Sequence, residues 1–250
     1  MIVVFGKGIV GQATGLVFNK EVSYIDPAFG LSIDDLKPYK HAVITVPTPA
    51  AEHGLDHSGI VRCIDELKQK GFGGIVIIRS TCQTEFLANI SDHYHSVVYW
   101  PEFLREENYK YEAIHPSIVV LGGSNHMCQS VESLLKEYQH GTRSKWHLTD
   151  IVTASIIKLG LNTALAAKIT MFNSLYSIAE KNEANWNVIH DAICEDWRIG
   201  FGQSEVPGPD GKVGFGGKCL PKDVATMANM DVDNVYLQSI MSYNKLLRDE

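Results

Sequence analysis

The sequence lacks a basic excess. Its 250 residues carry 22 Lys and Arg against 29 Asp and Glu, a formal charge of −7, so the overall field favours neither a phosphate backbone nor an anionic bilayer surface. Nucleic acid and membrane are therefore not expected as partners, and an anionic ligand has to be held locally, by backbone N–H groups or a few lysines. The start, Met1–Gly8, lacks the basic segment and long apolar stretch of an export leader, and no run reaches the roughly 18 apolar residues of a membrane span. Neither export nor a span is expected. The five cysteines (Cys63, Cys82, Cys128, Cys194 and Cys219) are odd in number and include no C-x-x-C pair. This argues against a disulfide framework or a thiolate zinc site and suits a reducing, cytoplasmic compartment. His53 and His57 are four apart, but Gly54 lies between them and no H-E-x-x-H is present, so both read as surface residues and no metal is expected.

What is present is a 45% hydrophobic, 20% charged composition suited to a globular core. In the first half, short Val- and Ile-rich runs (Ile2–Phe5, Val22–Ile25, Ala42–Val46, Ile75–Ile78, Val97–Tyr99 and Ile118–Leu121) alternate with helical stretches at Ile9–Phe18, Ser58–Lys70, Gln83–Ser91 and Ser124–Glu137. Such runs suit strands covered on both faces, the alternation implies right-handed crossovers, and Ser58 reads as a helix N-cap. From Leu148 to Lys181 there is no proline and one glycine, Gly160, which predicts one long helix. Further helices are expected over Asn185–Cys194, Pro221–Met230 and Asn234–Leu247, with a Gly/Pro-rich loop at Gly200–Gly217. The fold class is α/β: a Rossmann-like, mostly parallel sheet in residues 1–146, then an all-α domain on the long helix in residues 147–250.

Gly6-Lys7-Gly8-Ile9-Val10-Gly11 follows a strand-like run and opens a helix, the context that gives G-x-G-x-x-G its meaning. Gly6 permits the tight turn, Gly8 the approach of a pyrophosphate to the backbone, and Gly11 close packing of helix on strand. Asp26 ends the next run, 20 positions after Gly6. A carboxylate there accepts from a ribose diol and repels a 2′-phosphate, so NAD is expected as cofactor. The competing reading is that these glycines only pack and Asp26 caps the turn before Pro27. Lys7 is expected to face solvent.

The densest local signal is Gly214-Phe215-Gly216-Gly217-Lys218-Cys219-Leu220-Pro221-Lys222-Asp223. The glycines let the chain pass close to a ligand, and Pro221 suits the first turn of a helix. Cys219 therefore falls at a helix N-terminus, where exposed N–H groups, with Lys218 and Lys222 nearby, favour a nucleophilic thiolate. Three polar pairs, Glu102/Glu106, Lys158/Asn162 and Cys219/Asp223, are spaced i, i+4 and share a face wherever the segment is helical. Lys158 and Asn162 sit among Ile156, Ile157, Leu159, Leu161 and Leu165, in a helix too apolar to be freely exposed.

These residues resemble the UDP-glucose/GDP-mannose dehydrogenase family, whose signature loop has the form G-F-G-G-x-C-x-P-K-D. Val46-Pro47-Thr48-Pro49, Arg79-Ser80-Thr81, Pro101-Glu102-Phe103-Leu104-Arg105-Glu106 and Lys158 with Asn162 resemble its V-P-T-P, R-S-T, P-E-F-L-R-E and K-x-x-x-N segments, in the same order. The resemblance implies that Val46, Pro47, Thr48, Ser80 and Thr81 join the Gly-rich turn around NAD. It also implies that Phe103, Leu104 and Gly214, Phe215, Gly216 and Gly217 line the sugar.

The activity implied is oxidation of a nucleotide sugar's C6 alcohol to a uronate by two hydride transfers through a thiohemiacetal and thioester on Cys219. Lys158, with a water held by Asp223 and with Thr81, accepts the hydroxyl proton. Lys158 and Asn162 stabilise oxyanions, Glu106 activates water, and Glu102 holds the sugar or water network. Family members are longer and carry a third, nucleotide-gripping domain, so the chain reads as a short form without it. A homodimer through the long helix is expected. The alternatives are a two-electron hydroxyacid or 6-phosphogluconate-type dehydrogenase, which needs no cysteine, and a non-catalytic NAD-binding remnant.

Overall fold

A computed structural model describes residues 1–51, 54–138 and 144–248; His53 lies outside them. The chain divides into two compact units, Met1–Lys158 and Leu159–Glu250.

In the first unit the chain runs β1 (Ile2–Phe5), α1 (Ile9–Val17), β2 (Val22–Ile25), β3 (His41–Ile44), a small hairpin of β4 (Ala50–Ala51) and β5 (Gly54–Leu55), then α2 (Ser58–Gln69) and β6 (Ile75–Ile78). It continues through α3 (Thr84–His93), β7 (Val97–Tyr99), α4 (Tyr109–Ile114), β8 (Ile118–Gly123), α5 (Asn125–Tyr138) and β9 (Lys145–Thr149). Seven strands form one sheet in the order β2-β1-β3-β6-β7-β8-β9, parallel throughout except where β8 runs against β7. The strands alternate strictly between the two faces. Val3, Phe5, Ala42, Ile44, Val76, Ile78, Val97 and Tyr99 pack under α2 and α3, while Ile2, Val4, Val43, Ile77, Val98 and Leu121 pack under α1, α4 and α5. Burying each such aliphatic chain contributes about 1.5–3 kcal/mol, which makes a one-residue slip in register prohibitive. The strand order reverses at β1, between β2 and β3, so the loops after β1 and β3 flank a crevice at the carboxyl ends of the strands, where such sheets bind ligands.

α6 (Ile151–Lys181) begins in the first unit, where Ile151 and Ala154 join the sheet core. In the second unit it continues with α7 (Trp186–Cys194), α8 (Leu220–Met230) and α9 (Val235–Arg248). Ala166 of α6, Phe215, Val224 of α8 and Ile240 of α9 form one core; Phe172, Cys194 and Val206 form another, with Tyr176 and Trp186 packed on it.

Several local expectations change. The cap of α2 is His57, not Ser58, because the Asp56 carboxylate already accepts the Ser58 N–H at 2.8 Å. His57 is half-buried rather than a surface residue: its ring stacks on Phe86 at 3.9 Å, and its Nε2 accepts from the Gln83 N–H. β9, α4 and the β4–β5 hairpin had no counterpart in the sequence reading. By length and composition α6 is apolar enough to cross a membrane, yet it buries Ser155, Lys158, Asn162 and Asn173, and each hydrogen-bonds a residue of another segment. Polar groups held in this way belong to a core helix.

Candidate active site

In the first unit the Gly-rich turn, the 45–48 segment and the 79–81 segment are tied together at the ends of β1, β3 and β6. The Thr45 hydroxyl donates to Phe5 O at 2.8 Å and Gly6 O at 3.1 Å, Ser80 Oγ donates to Val46 O at 2.7 Å, and Thr48 Oγ1 donates to Thr81 O at 2.8 Å. Gly6, Val46, Pro47, Thr48, Ser80 and Thr81 are thus gathered on one edge of the crevice. Gly11 is forced by packing, since a Cβ there would lie 2.1 Å from Gly6 O. Gly8 differs: a Cβ would meet nothing within 4 Å, and no side chain caps the first turn of α1, where Ile9 and Val10 lie. Open space in front of uncapped helix N–H groups fits the pyrophosphate of a dinucleotide.

Asp26 caps the turn before Pro27, as the competing reading has it. Its Oδ1 accepts from Ala28 N at 3.0 Å, capping the turn at Pro27, and its Oδ2 accepts from Lys7 N at 2.7 Å, which fastens it to the Gly-rich loop. Lys7 does not simply face solvent; it is half-buried, with Nζ 5.4 Å from the Tyr24 ring centre and 5.8 Å from that of Phe29.

The other chemistry-bearing group of this unit lies beyond β7. Glu102 Oε1 accepts from Lys158 Nζ at 3.3 Å, and Oε2 accepts from Leu104 N at 2.7 Å. Both side chains are nearly excluded from water, and Nζ also lies 5.5 Å from the Phe103 ring centre. Burial by itself raises the Glu102 carboxyl, but Lys158, the Leu104 N–H and Arg79 outweigh it and hold the group below its usual range. The helical condition for a shared Glu102/Glu106 face is not met. Residues 101–105 form no helix and only a short 3-10 turn begins at Glu106; Glu102 pairs with Lys158 while Glu106 is exposed.

In the second unit Cys219 caps α8, with Pro221 in the first turn and the Asp223 N–H donating to Cys219 O at 2.9 Å. Of the five thiols it alone is exposed. Asp223 is fully buried; its Oδ2 accepts from Asn162 Nδ2 at 2.6 Å, and its Oδ1 takes Lys222 Nζ at 2.7 Å. Lys222 thus ties its charge to Asp223.

The loop before Cys219 is held by residues that sequence reasoning missed. Asn173 Oδ1 accepts from Gly214 N at 3.0 Å; Asn244 accepts from Phe215 N at 2.7 Å and donates to Phe215 O at 3.0 Å. Arg248 pairs with Asp210 at 2.9 Å and donates to Gly214 O at 3.1 Å, and a Cβ on Gly216 would collide with its guanidinium. The available signal was an asparagine on the buried face of an otherwise apolar helix.

Two domain models match this chain: the UDP-glucose/GDP-mannose dehydrogenase NAD-binding domain over residues 33–140 and the same family's central domain over residues 152–245. The chain belongs to the UDP-glucose/GDP-mannose dehydrogenase family. A UDP-glucose 6-dehydrogenase of Rickettsia bellii is 32% identical over 226 residues, covering 85% of this chain and 50% of the relative. The chain spans about half the length of the curated relatives it matches. Among solved structures, a UDP-glucose dehydrogenase of Pyrobaculum islandicum shares the fold with a TM-score of 0.82 at 19% identity, over 98% of this chain and 68% of that one. The 3-hydroxyisobutyrate dehydrogenase of Mycobacterium tuberculosis does so with 0.75 at 17%, over 99% and 94%. The fold is thus common to both chemistries weighed from the sequence, whereas the family is assigned by the domain models. NAD is the cofactor that the family's N-terminal domain indicates.

Proposed function

We propose that the chain oxidises the C6 alcohol of a nucleotide sugar to a uronate, as a UDP-glucose 6-dehydrogenase-like enzyme. The observation that carries this reading is the exposed thiol of Cys219 at the N-terminus of α8, in a loop fastened by Asn173 and Asn244. A two-electron alcohol oxidation has no use for such a sulfur. NAD, when bound, supplies the hydride acceptor for each of two successive two-electron oxidations.

The first unit contributes the Gly-rich cradle and the Glu102–Lys158 pair. Lys158 takes the hydroxyl proton as the alcohol is oxidised, with Thr81 and a water on Asp223 assisting, and Glu102 orients it. The second unit contributes the nucleophile. The Cys219 thiolate adds to the aldehyde carbon, giving a thiohemiacetal whose oxidation leaves a thioester. Asn162 and Lys158 stabilise the oxyanions, and Glu106, open to solvent, activates the water that releases the uronate. Phe103, Leu104 and the 214–217 loop position the sugar. Residues 1–146 act as the NAD-binding domain and 147–250 as the helical domain. On α6, Met171 and Ile178 are exposed two turns apart on one face, which supports a homodimer; a monomeric sedimentation mass would refute it.

The test is NADH production with UDP-glucose, GDP-mannose and related sugar nucleotides. Two NADH per sugar from the wild type alone, with Cys219→Ala going no further than the first oxidation, support the reading. One NADH per substrate from both proteins moves it to the hydroxyacid class, and NAD binding without turnover marks a binding remnant.

A further inference from the structure

The least expected charged group of the first unit is Arg79. It is 4% exposed and its Nε and Nη1 find no hydrogen-bond partner among the described residues, although a buried guanidinium normally makes several such bonds. What holds it is a ring: the guanidinium carbon lies 3.7 Å from the centre of Trp100. The sheet makes this contact obligatory. β6 and β7 are neighbours with Ile78 opposite Tyr99, and the Trp100 N–H donates to Ile78 O at 2.8 Å, so the next residues of the two strands, Arg79 and Trp100, meet side by side. Glu102 follows two positions later.

The charged groups facing Glu102 among the described residues are Lys158, from α6, and Arg79, from the end of β6. One carboxylate thus sits in the field of two cations. We propose that Arg79 is a positioning residue, the standing counter-charge that keeps Glu102 ionised and oriented while Lys158 gives up and regains its proton. The proposal rests on the proton-transfer role given to Lys158 above. A buried carboxylate whose only cation became neutral would be left uncompensated. An arginine suits the task where a second lysine would not: burial pulls the Arg79 guanidinium down only to about 10, with Glu102 opposing the fall, so it stays charged through the neutral range. Arg79 stacks on Trp100, and the two Glu102 oxygens are taken by Lys158 and Leu104 N.

The protonation of Glu102 is followed by infrared spectroscopy of its carboxyl, assigned by its loss in Glu102→Gln, in wild type, Arg79→Met and Arg79→Lys. Methionine keeps the packing on Trp100 and removes the charge. The carboxyl is expected to take up its proton about one pH unit or more higher in Arg79→Met, and close to the wild-type pH in Arg79→Lys, which is protonated in that acidic range. The acid limb of NADH production should move with it. An unmoved titration in Arg79→Met, or equal shifts in both variants, overturns the proposal. So does failure of both Arg79→Met and Arg79→Gln to fold, which would make Arg79 a structural support. Absence of NADH from the wild type would count against the proposed reaction, but the carboxyl titration would still decide the role of Arg79.

Discussion

Asn162 donates to Asp223 at 2.6 Å, and neither side chain reaches solvent to any useful extent. Because the second carboxylate oxygen is held by Lys222, Asp223 is the hub that joins α6 to the start of α8 within the second unit. Removing it strands a buried amide and an ammonium. Asp223→Ala is expected to lower stability by about 3 kcal/mol, read as a fall in the urea midpoint at unchanged slope. A change below about 0.5 kcal/mol would show that the hub carries no load.

Thiol reactivity should single out Cys219. Burial pushes Cys63 up to about 12 and Cys128 up to about 11, and Cys82 and Cys194 are buried as well. At pH 8 a small alkylating reagent is expected to add one label rapidly, at Cys219, before unfolding exposes the rest. Peptide mass mapping checks the site. Cys219→Ser should leave the thermal midpoint nearly unchanged, because the side chain is exposed, while removing the second NADH of each turnover.

Two glycines of one turn should fail differently. Gly11→Ala drives a methyl into Gly6 O and is expected to cost about 3 kcal/mol of stability. Gly8→Ala meets no protein atom, so the fold should persist while the methyl fills the space assigned to the pyrophosphate. Calorimetry with NAD should show at least tenfold weaker binding for Gly8→Ala at an unchanged melting temperature. Undiminished affinity would remove the dinucleotide from this turn.

Glu102 links pH to stability. Its folded carboxyl titrates below the ordinary value of 4.5, with burial opposed by Lys158, the Leu104 N–H and Arg79. A group depressed in this way contributes stability that is present above 4.5 and disappears as pH falls through the folded value. The wild type should therefore lose stability below pH 4.5 more steeply than Glu102→Gln. Parallel acid profiles for the two proteins would mean that the carboxylate gains nothing on folding.

Much of the scaffold was legible locally. The β-rich runs at Ile2–Phe5, Val22–Ile25, Ile75–Ile78 and Val97–Tyr99 are strands over those same residues, because residues with a branched Cβ between Gly- and polar-rich punctuation admit few other conformations. The absence of proline after Leu148 delivered the long helix in the same way. Strand β9 escaped because Lys145–Thr149 is not a Val/Ile run; it is a strand only because β8 offers an edge. The Glu102/Glu106 spacing could not settle whether the two share a face, because that requires a helical backbone and residues 101–105 form none.

The sequence by itself determined which segments become strands and helices, where the Gly-rich turn lies, and that Cys219 stands at the head of a helix, since these follow from backbone preferences acting over a few neighbouring residues. Tertiary structure alone decided that Glu102 turns to Lys158, 56 positions away, that Arg79 rests on Trp100, and that Asn173 and Asn244 grip the cysteine loop from 41 and 29 positions away. The free energy of a buried charge or amide is settled by whatever partner folding brings within three ångströms, and no local pattern names that partner.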